Sequence, residues 1–284
     1  MYDIKKGCIF IQKLKVTVCG GDKRYLKTYD LFNKNGFEAY YSNCQMIKNI
    51  SDTNILVLPI ASFDREGNFT GSQYTIYDIL NMISSGSSIF SGKVPTIIKN
   101  IAKEYKVSLY DYTDNEEFNI LNSISTAEGA ILTALKASNK TISQSKLTIL
   151  GYGRIGRALA VRLKALGGVV KVGARSAIAR ANALCDNIEA YDIETSIKLS
   201  ESSDFIFNTI PSTIITEDNI NNIKNSIIID LASIPGGVSE NAKIISGENF
   251  IHALSLPGKY FPDTAGEAIY KTIISILREK GVYV

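Results

Sequence analysis

The feature that most constrains this chain is the stretch "LTILGYGRIGRALAVRLKALG" at 147–167. An apolar run ends at Gly151, Gly153 and Gly156, which have G-x-G-x-x-G spacing, and a helical pattern follows. Glycine at the first position permits a tight turn. At the second it lets backbone approach a pyrophosphate, and at the third it lets helix and strand pack closely. A helix that starts there offers unpaired N–H groups and the positive end of its dipole to phosphate. The motif alone is weak. Set between a strand and a helix whose Ile155, Leu159, Leu163 and Leu166 share a face, it predicts dinucleotide binding. The expected cofactor contacts are Gly151, Tyr152, Gly153, Arg154, Ile155 and Gly156.

The end of the next strand sets the form of the cofactor. It reads "VVKVGARS", with Arg175 and Ser176 where an acidic residue would hold a ribose 2'-hydroxyl. A guanidinium matches a phosphate in charge and geometry, so the phosphorylated cofactor, NADP, is favoured over NAD. The alternative is that Arg175 only stacks on adenine or faces solvent. Two further strand ends, "FIFNTIPS" and "IIIDLAS", bring Thr209, Pro211 and Asp230 to the same edge. Asp230 has two readings, a cofactor or catalytic carboxylate, or a holder of its own loop's N–H groups.

Apolar runs alternate with helical patterns along the whole chain, which is the pattern of α/β folds with parallel sheets. Strands are expected at 14–19, in "FEAYY", at 54–60, 87–92 and 106–112, then at 147–150, 169–172, 204–209, 226–231 and in "NFIHAL". The polar segment 139–146 reads as a joint. The prediction is two doubly wound parallel-sheet domains. A flavodoxin-like N-terminal, substrate-side domain covers 1–138, a Rossmann domain covers 139–264, and a C-terminal helix at 265–284 crosses back to the first. Residues 61–73 read as a mobile loop over the strand ends.

The first domain supplies charge at a strand end, in "GGDKR". Lys23 and Arg24 stand at a helix start, against the dipole preference, which suits an anionic ligand; plain surface charge is the alternative. Asp22 caps that helix or transfers a proton. In "NSISTAEG", Ser125 and Glu128 have capping-box spacing, and Ser125, Thr126 and Glu128 are candidates for the cleft. Asp263 precedes the last helix, where Thr264 is expected to cap with Glu267. His252 reads as a core or edge histidine.

Composition excludes several classes. A net charge of +3 on 284 residues, with no basic block, argues against nucleic acid. Cys8, Cys19, Cys44 and Cys185 have no metal-ligand spacing, so no metal site and reduced thiols are expected. After Lys5 and Lys6 the run containing Lys13 and Lys15 is too broken for a signal peptide or membrane span, so a cytoplasmic protein is expected.

The segments "VTVCGGDKR", "VLPI", "NSISTAEGAILTAL", "ILGYGRIGRALA", "KVGARS", "NTIPS", "DLASIPGG" and "LPGKYFPDTAGE" together resemble the A subunit of dipicolinate synthase, a sporulation enzyme. The resemblance covers nearly the whole chain and implies a fold similar to D-2-hydroxyacid and alanine dehydrogenases. It implies NADP-dependent conversion of 4-hydroxy-tetrahydrodipicolinate, a small dicarboxylate, to dipicolinate. It also implies a flavoprotein-like B subunit, a homo-oligomer, and action in the cytoplasm of the mother cell. Lys23, Arg24, Ser125 and Thr126 then face substrate, and Asp22, Glu128 and Asp263 are candidates for proton transfer. Ser255 departs from the family's usual proline, and Lys93 and His252 are less typical of it.

Overall fold

The computed structural model describes residues 14–47 and 50–282. The readings of Lys5, Lys6, Cys8 and Lys13 lie outside the described residues. The chain divides into two compact units, residues 1–118 with 262–284, and residues 119–261.

The first unit is a five-stranded sheet of β1 (Lys15–Gly20), β2 (Glu38–Asn43), β3 (Ile55–Ile60), β4 (Ser88–Gly92) and β5 (Ser108–Asp111), with helices α1 (Lys23–Lys34), α2 (Ile76–Met82) and α3 (Thr96–Glu104) between strands. The order is β2-β1-β3-β4-β5 and every pairing is parallel. This is the flavodoxin-like order, whose switch point lies between β1 and β3. The central strands Val16, Val18, Leu56, Val57 and Leu58 are fully buried, as strands covered on both faces must be. Pro59 has no N–H for the ladder, and the β3–β4 register shifts between Val57 and Ile60.

The stretch 61–73 is not a loose loop. Phe63 and Phe69 are buried with ring centroids 5.5 Å apart, and two isolated bridges pair Phe63 with Phe69 and Asn68 with Thr75. Asp64 takes the backbone and side-chain amides of Asn68 at 2.8 Å. Two phenylalanines hidden among Gly, Ser and Asp carry this order.

Next comes α4 (Glu116–Lys136), within which the two units divide. The second unit holds β6 (Lys146–Leu150), α5 (Arg154–Ala165), β7 (Val169–Gly173), α6 (Ala177–Cys185), β8 (Glu189–Tyr191), α7 (Ile193–Lys198), β9 (Phe205–Asn208), β10 (Ile227–Asp230), α8 (Glu240–Ser246), β11 (Phe250–His252) and α9 (Leu256–Tyr260). Its six strands run β11-β10-β9-β6-β7-β8, all parallel, which is the Rossmann order. Leu159 and Leu163 of α5 are buried as predicted, and Ile155 packs against the same core. Leu166 falls after the helix and is 50% exposed.

The last helix, α10 (Pro262–Glu279), belongs to the first unit and packs on α1. Ala265, Ile269, Ile273, Ile276 and Leu277 are buried, the face its periodicity predicts. Close approach fixes Gly266, since a Cβ there would lie 2.4 Å from the carbonyl oxygen of Arg24. Phe32 meets Tyr270 edge to face at 4.9 Å. Helix α10 starts at Pro262, so Thr264 is inside it, and Glu267 pairs with Lys271 at 2.8 Å rather than closing a capping box.

Candidate functional site

In the second unit, the carboxyl ends of β6 and β9 open on a concavity of about 350 Å³. The glycine motif forms its floor. Gly151 is in the positive-φ region at +99°, and a Cβ there would lie 2.2 Å from Thr209 Oγ1. Thr209 Oγ1 donates to the Leu150 carbonyl at 3.0 Å, locking the end of β6 to the end of β9. A Cβ on Gly156 would lie 2.1 Å from the Gly151 carbonyl oxygen, whereas one on Gly153 would meet nothing within 4 Å. Gly153 is also the N-cap of α5 and brings no side chain to the first-turn N–H groups. Open space above the second glycine, beside an uncapped helix start, is the cradle a pyrophosphate requires. The residues present fit a dinucleotide.

Six of the residues read from sequence line this space: Gly151, Gly153, Arg154, Ile155, Thr209 and Pro211. Gly156 lies beneath it. The Tyr152 side chain points elsewhere, into the core at 8% exposure, and its hydroxyl donates to Asp186 Oδ2 at 2.7 Å. Arg157 donates to the same carboxylate at 2.8 and 3.1 Å. These bonds hold the Asp186 carboxyl below the usual range, and the hydrogen bond to Asp186 adds to burial in raising the Tyr152 phenol. Tyr152 therefore anchors the glycine loop from below.

Arg175 and Ser176 follow β7. Ser176 N-caps α6, accepting from the Ala179 N–H at 3.4 Å, and Arg175 Nη2 donates to Ser212 Oγ at 2.6 Å. Asp230 is fully buried and holds its own neighbourhood. It accepts from Asn208 Nδ2 at 2.8 Å and from the N–H groups of Ala232 and Gly237 at 3.1 and 2.8 Å. The loop-holding alternative is the one the structure has; Asp230 does not reach the concavity. His252 Nε2 lies 3.0 Å from the Ala232 carbonyl in β11, an edge histidine with a partner.

The "NSISTAEG" reading needs correction. Helix α4 begins nine residues before Ser125, at Glu116, and Asn115 Oδ1 accepts the Phe118 N–H at 3.0 Å as its cap. Ser125 and Thr126 are therefore mid-helix and buried, with Thr126 Oγ1 donating back to the Asn122 carbonyl at 2.9 Å. Glu128 is on the outer face, paired with Arg162 at 3.1 Å. The α4 residues that reach the concavity are Asn119, Asn122 and Ser123, one turn earlier, which the sequence reading missed. Their signal was an Asn-x-x-Asn-Ser spacing that puts three polar groups on one helical face.

In the first unit, Asp22 caps α1 through the Arg24 N–H at 3.0 Å, and the Arg24 guanidinium folds onto the same carboxylate at 2.6 to 3.0 Å. Burial pushes the Asp22 carboxyl up, but the Arg24 hydrogen bonds and charge outweigh it and leave it below the ordinary range. Beneath, Tyr25 Oη and Tyr112 Oη are 3.0 Å apart and tie to the Ile60 N–H and the Leu58 carbonyl. Lys23 begins α1, and Asp263 is exposed in the first turn of α10. No three of His, Cys, Asp and Glu form a metal-binding group among the described residues, and no helix among them is long and apolar enough to cross a membrane.

Residues 122–230 match the D-isomer specific 2-hydroxyacid dehydrogenase NAD binding domain. The chain is an NAD(P)-dependent oxidoreductase. Its sequence is 29% identical over 94% of its length to the dipicolinate synthase A subunit of Bacillus subtilis (strain 168), covering 96% of that protein. The crystal structure of the Bacillus subtilis protein aligns with a TM-score of 0.79 at 29% identity, covering 95% of this chain and 97% of that one. Its counterpart from Bacillus halodurans also aligns at 0.79, with 25% identity and coverage of 93% and 97%. The resemblance read from the motifs is thus shown along nearly the whole chain. The apo structure of Escherichia coli D-lactate dehydrogenase, at TM-score 0.64 and 15% identity over 95% and 98% of the chains, shares the fold.

Proposed function

We propose that this chain is the A subunit of a dipicolinate synthase, oxidising 4-hydroxy-tetrahydrodipicolinate to pyridine-2,6-dicarboxylate with NADP. The observation that carries this reading is the similarity to the Bacillus subtilis A subunit, which spans both units rather than the cofactor domain alone. The substrate loses water, then one proton and one hydride, and aromaticity drives the reaction forward. Bound NADP supplies the hydride acceptor.

The chain's own residues supply the rest. The loop Gly151–Gly153 and the start of α5 hold the pyrophosphate, while Thr209, Pro211 and the polar face of α4 line its path. Arg175 and Ser176 take the 2'-phosphate, which favours NADP over NAD. In the first unit, Lys23 and Arg24 stand beside the β1–β3 switch point, where open α/β sheets bind ligands, and hold a substrate carboxylate. With Glu128 engaged by Arg162 and Asp22 by Arg24, proton transfer falls to Asp263, exposed in the first turn of α10. The chain works with a flavoprotein-like B subunit in the cytoplasm of the mother cell.

The test mixes the purified chain with the freshly generated lysine-pathway condensation product and NADP, with and without the B subunit. NADPH absorbance and dipicolinate by mass detection are recorded. Both products from the chain alone place the redox step here. Turnover only with the partner makes the active species the complex. Tight NADP binding with no dipicolinate in either mixture sinks the substrate assignment in favour of another hydroxy acid.

A further inference from the structure

We propose that Ser212 is the positioning residue for cofactor selection: it holds Arg175 across the end of β6, so that the guanidinium is presented to a 2'-phosphate. This rests on the reading of Arg175 as the 2'-phosphate ligand. In the sheet, β6 lies between β7 and β9. Arg175 follows β7 and Ser212 follows β9, so their 2.6 Å bond spans two strand spacings, roughly 10 Å. It passes over the strand that ends in the glycine loop. The arginine arm is therefore laid along the edge where the adenosine half of a dinucleotide approaches its helix.

The base of this arm is fixed as well. Arg180 Nη1 donates to the carbonyls of both Ala174 and Arg175 at 2.7 Å, pinning the backbone from which the Arg175 side chain leaves. One serine thus holds the tip and one arginine the root of an otherwise exposed side chain. An arginine has five N–H donors. A single bond to a neutral hydroxyl leaves most of that fork, and all of its charge, for a phosphate. A carboxylate at position 212 would cancel the charge; an apolar residue would let the long side chain disperse among rotamers, at an entropic cost to be met on binding.

The experiment measures binding, not turnover. Dissociation constants for NADP, NAD, adenosine 2',5'-bisphosphate and AMP are determined by calorimetry on the wild type, Ser212→Ala, Ser212→Thr and Arg175→Ala. Ordering on binding a long side chain that Ser212 no longer holds predicts a roughly two- to twelvefold weakening of NADP and of the bisphosphate in Ser212→Ala. NAD and AMP should be unchanged, and Ser212→Thr should restore the phosphate preference. Equal weakening of phosphorylated and unphosphorylated ligands would mean Ser212 only shapes the loop, and the proposal fails. It also fails if Ser212→Ala keeps the wild-type ratio while Arg175→Ala abolishes it, although Arg175 then stands as the phosphate ligand. A wild type with no preference for the phosphorylated ligands would overturn both.

Discussion

The second glycine of the motif can be tested separately from the third, because their surroundings differ. Gly153 has φ −86° and ψ −161°, a conformation alanine adopts freely, and an added Cβ meets nothing within 4 Å. Gly153→Ala should therefore fold. Alanine is a poorer N-cap than glycine but costs less entropy, so the net change should stay within about 1 kcal/mol. The new methyl would occupy the space reserved for the pyrophosphate. Overpacking of a close contact costs about 1–3 kcal/mol, or roughly 5- to 150-fold in Kd. Gly156→Ala is the reverse case. Its Cβ would stand 2.1 Å from the Gly151 carbonyl oxygen, where a C···O contact needs about 3.3 Å. Helix α5 and the loop must separate by about 1 Å, which should cost about 1–3 kcal/mol or more of stability. Urea unfolding and NADPH fluorescence titration measure the two quantities on each variant. If Gly153→Ala binds NADPH as tightly as wild type while remaining folded, the pyrophosphate does not lie over that glycine and the site as described is wrong.

Asp230→Ala strands three donors, Asn208 Nδ2 and two backbone N–H groups, in a fully buried place; a loss of about 3 kcal/mol or more is expected by thermal or urea unfolding, and a neutral result would dismiss its loop-holding role. The Asp22 carboxyl is depressed in the fold, so the stability it contributes is present above the unfolded value of about 3.9 and lost as pH falls through the lower folded value. Arg24→Ala should remove that acid-side dependence from the Tm-versus-pH curve and also raise the KM for substrate; an unchanged kcat/KM would reject the clamp. In a Cys8→Ser background, a thiol reagent at pH 8 should label the exposed Cys185 rapidly and Cys44 slowly, because burial pushes the Cys44 thiol up to about 11. Cys19, buried and pushed further up, should react only on unfolding, which mass spectrometry of the labelled protein reads directly.

Much of the fold was legible because buried parallel strands are nearly pure apolar runs. "NILVLPI", "LTIL" and "FIFN" announce themselves, as do the apolar stripes of α5 and α10. The strand β8, three residues with none fully buried, carries no such signal. Helix α4 misled for a physical reason. Its first turns, "EEFNILNSI", carry Asn and Ser residues that elsewhere favour caps and turns, so an internal Ser-x-x-Glu looked like a start. The same polarity lines the concavity, through Asn119, Asn122 and Ser123. The glycine motif located the site at once, but spacing alone did not say which of its residues turn inward. Tyr152, between two glycines that line the concavity, has its ring in the core, and only the Asp186 bond reveals what it does.

The arginines at the two strand edges illustrate how partner chemistry decides what a cation is available for. Arg24, Arg157 and Arg162 each lie against a carboxylate, Asp22, Asp186 and Glu128. Their charge is locally cancelled, and Coulomb attraction for an incoming anion is correspondingly weak. Arg175 is held by a hydroxyl and keeps its charge whole. In the second unit this favours Arg175 over Arg157 as the phosphate ligand, even though Arg157 lies in the first turn of the phosphate helix. In the first unit the same logic shifts weight from Arg24 to Lys23, which starts α1. A substrate carboxylate would then take its charge partner from Lys23 and use Arg24 as an oriented donor, its guanidinium already fixed by Asp22. Lys23→Ala should accordingly raise KM by more at low ionic strength than at high, whereas Asp22→Asn should lower it by releasing charge on Arg24. A Lys23→Ala enzyme whose KM has no more salt dependence lost than Arg24→Ala would refute that division of labour.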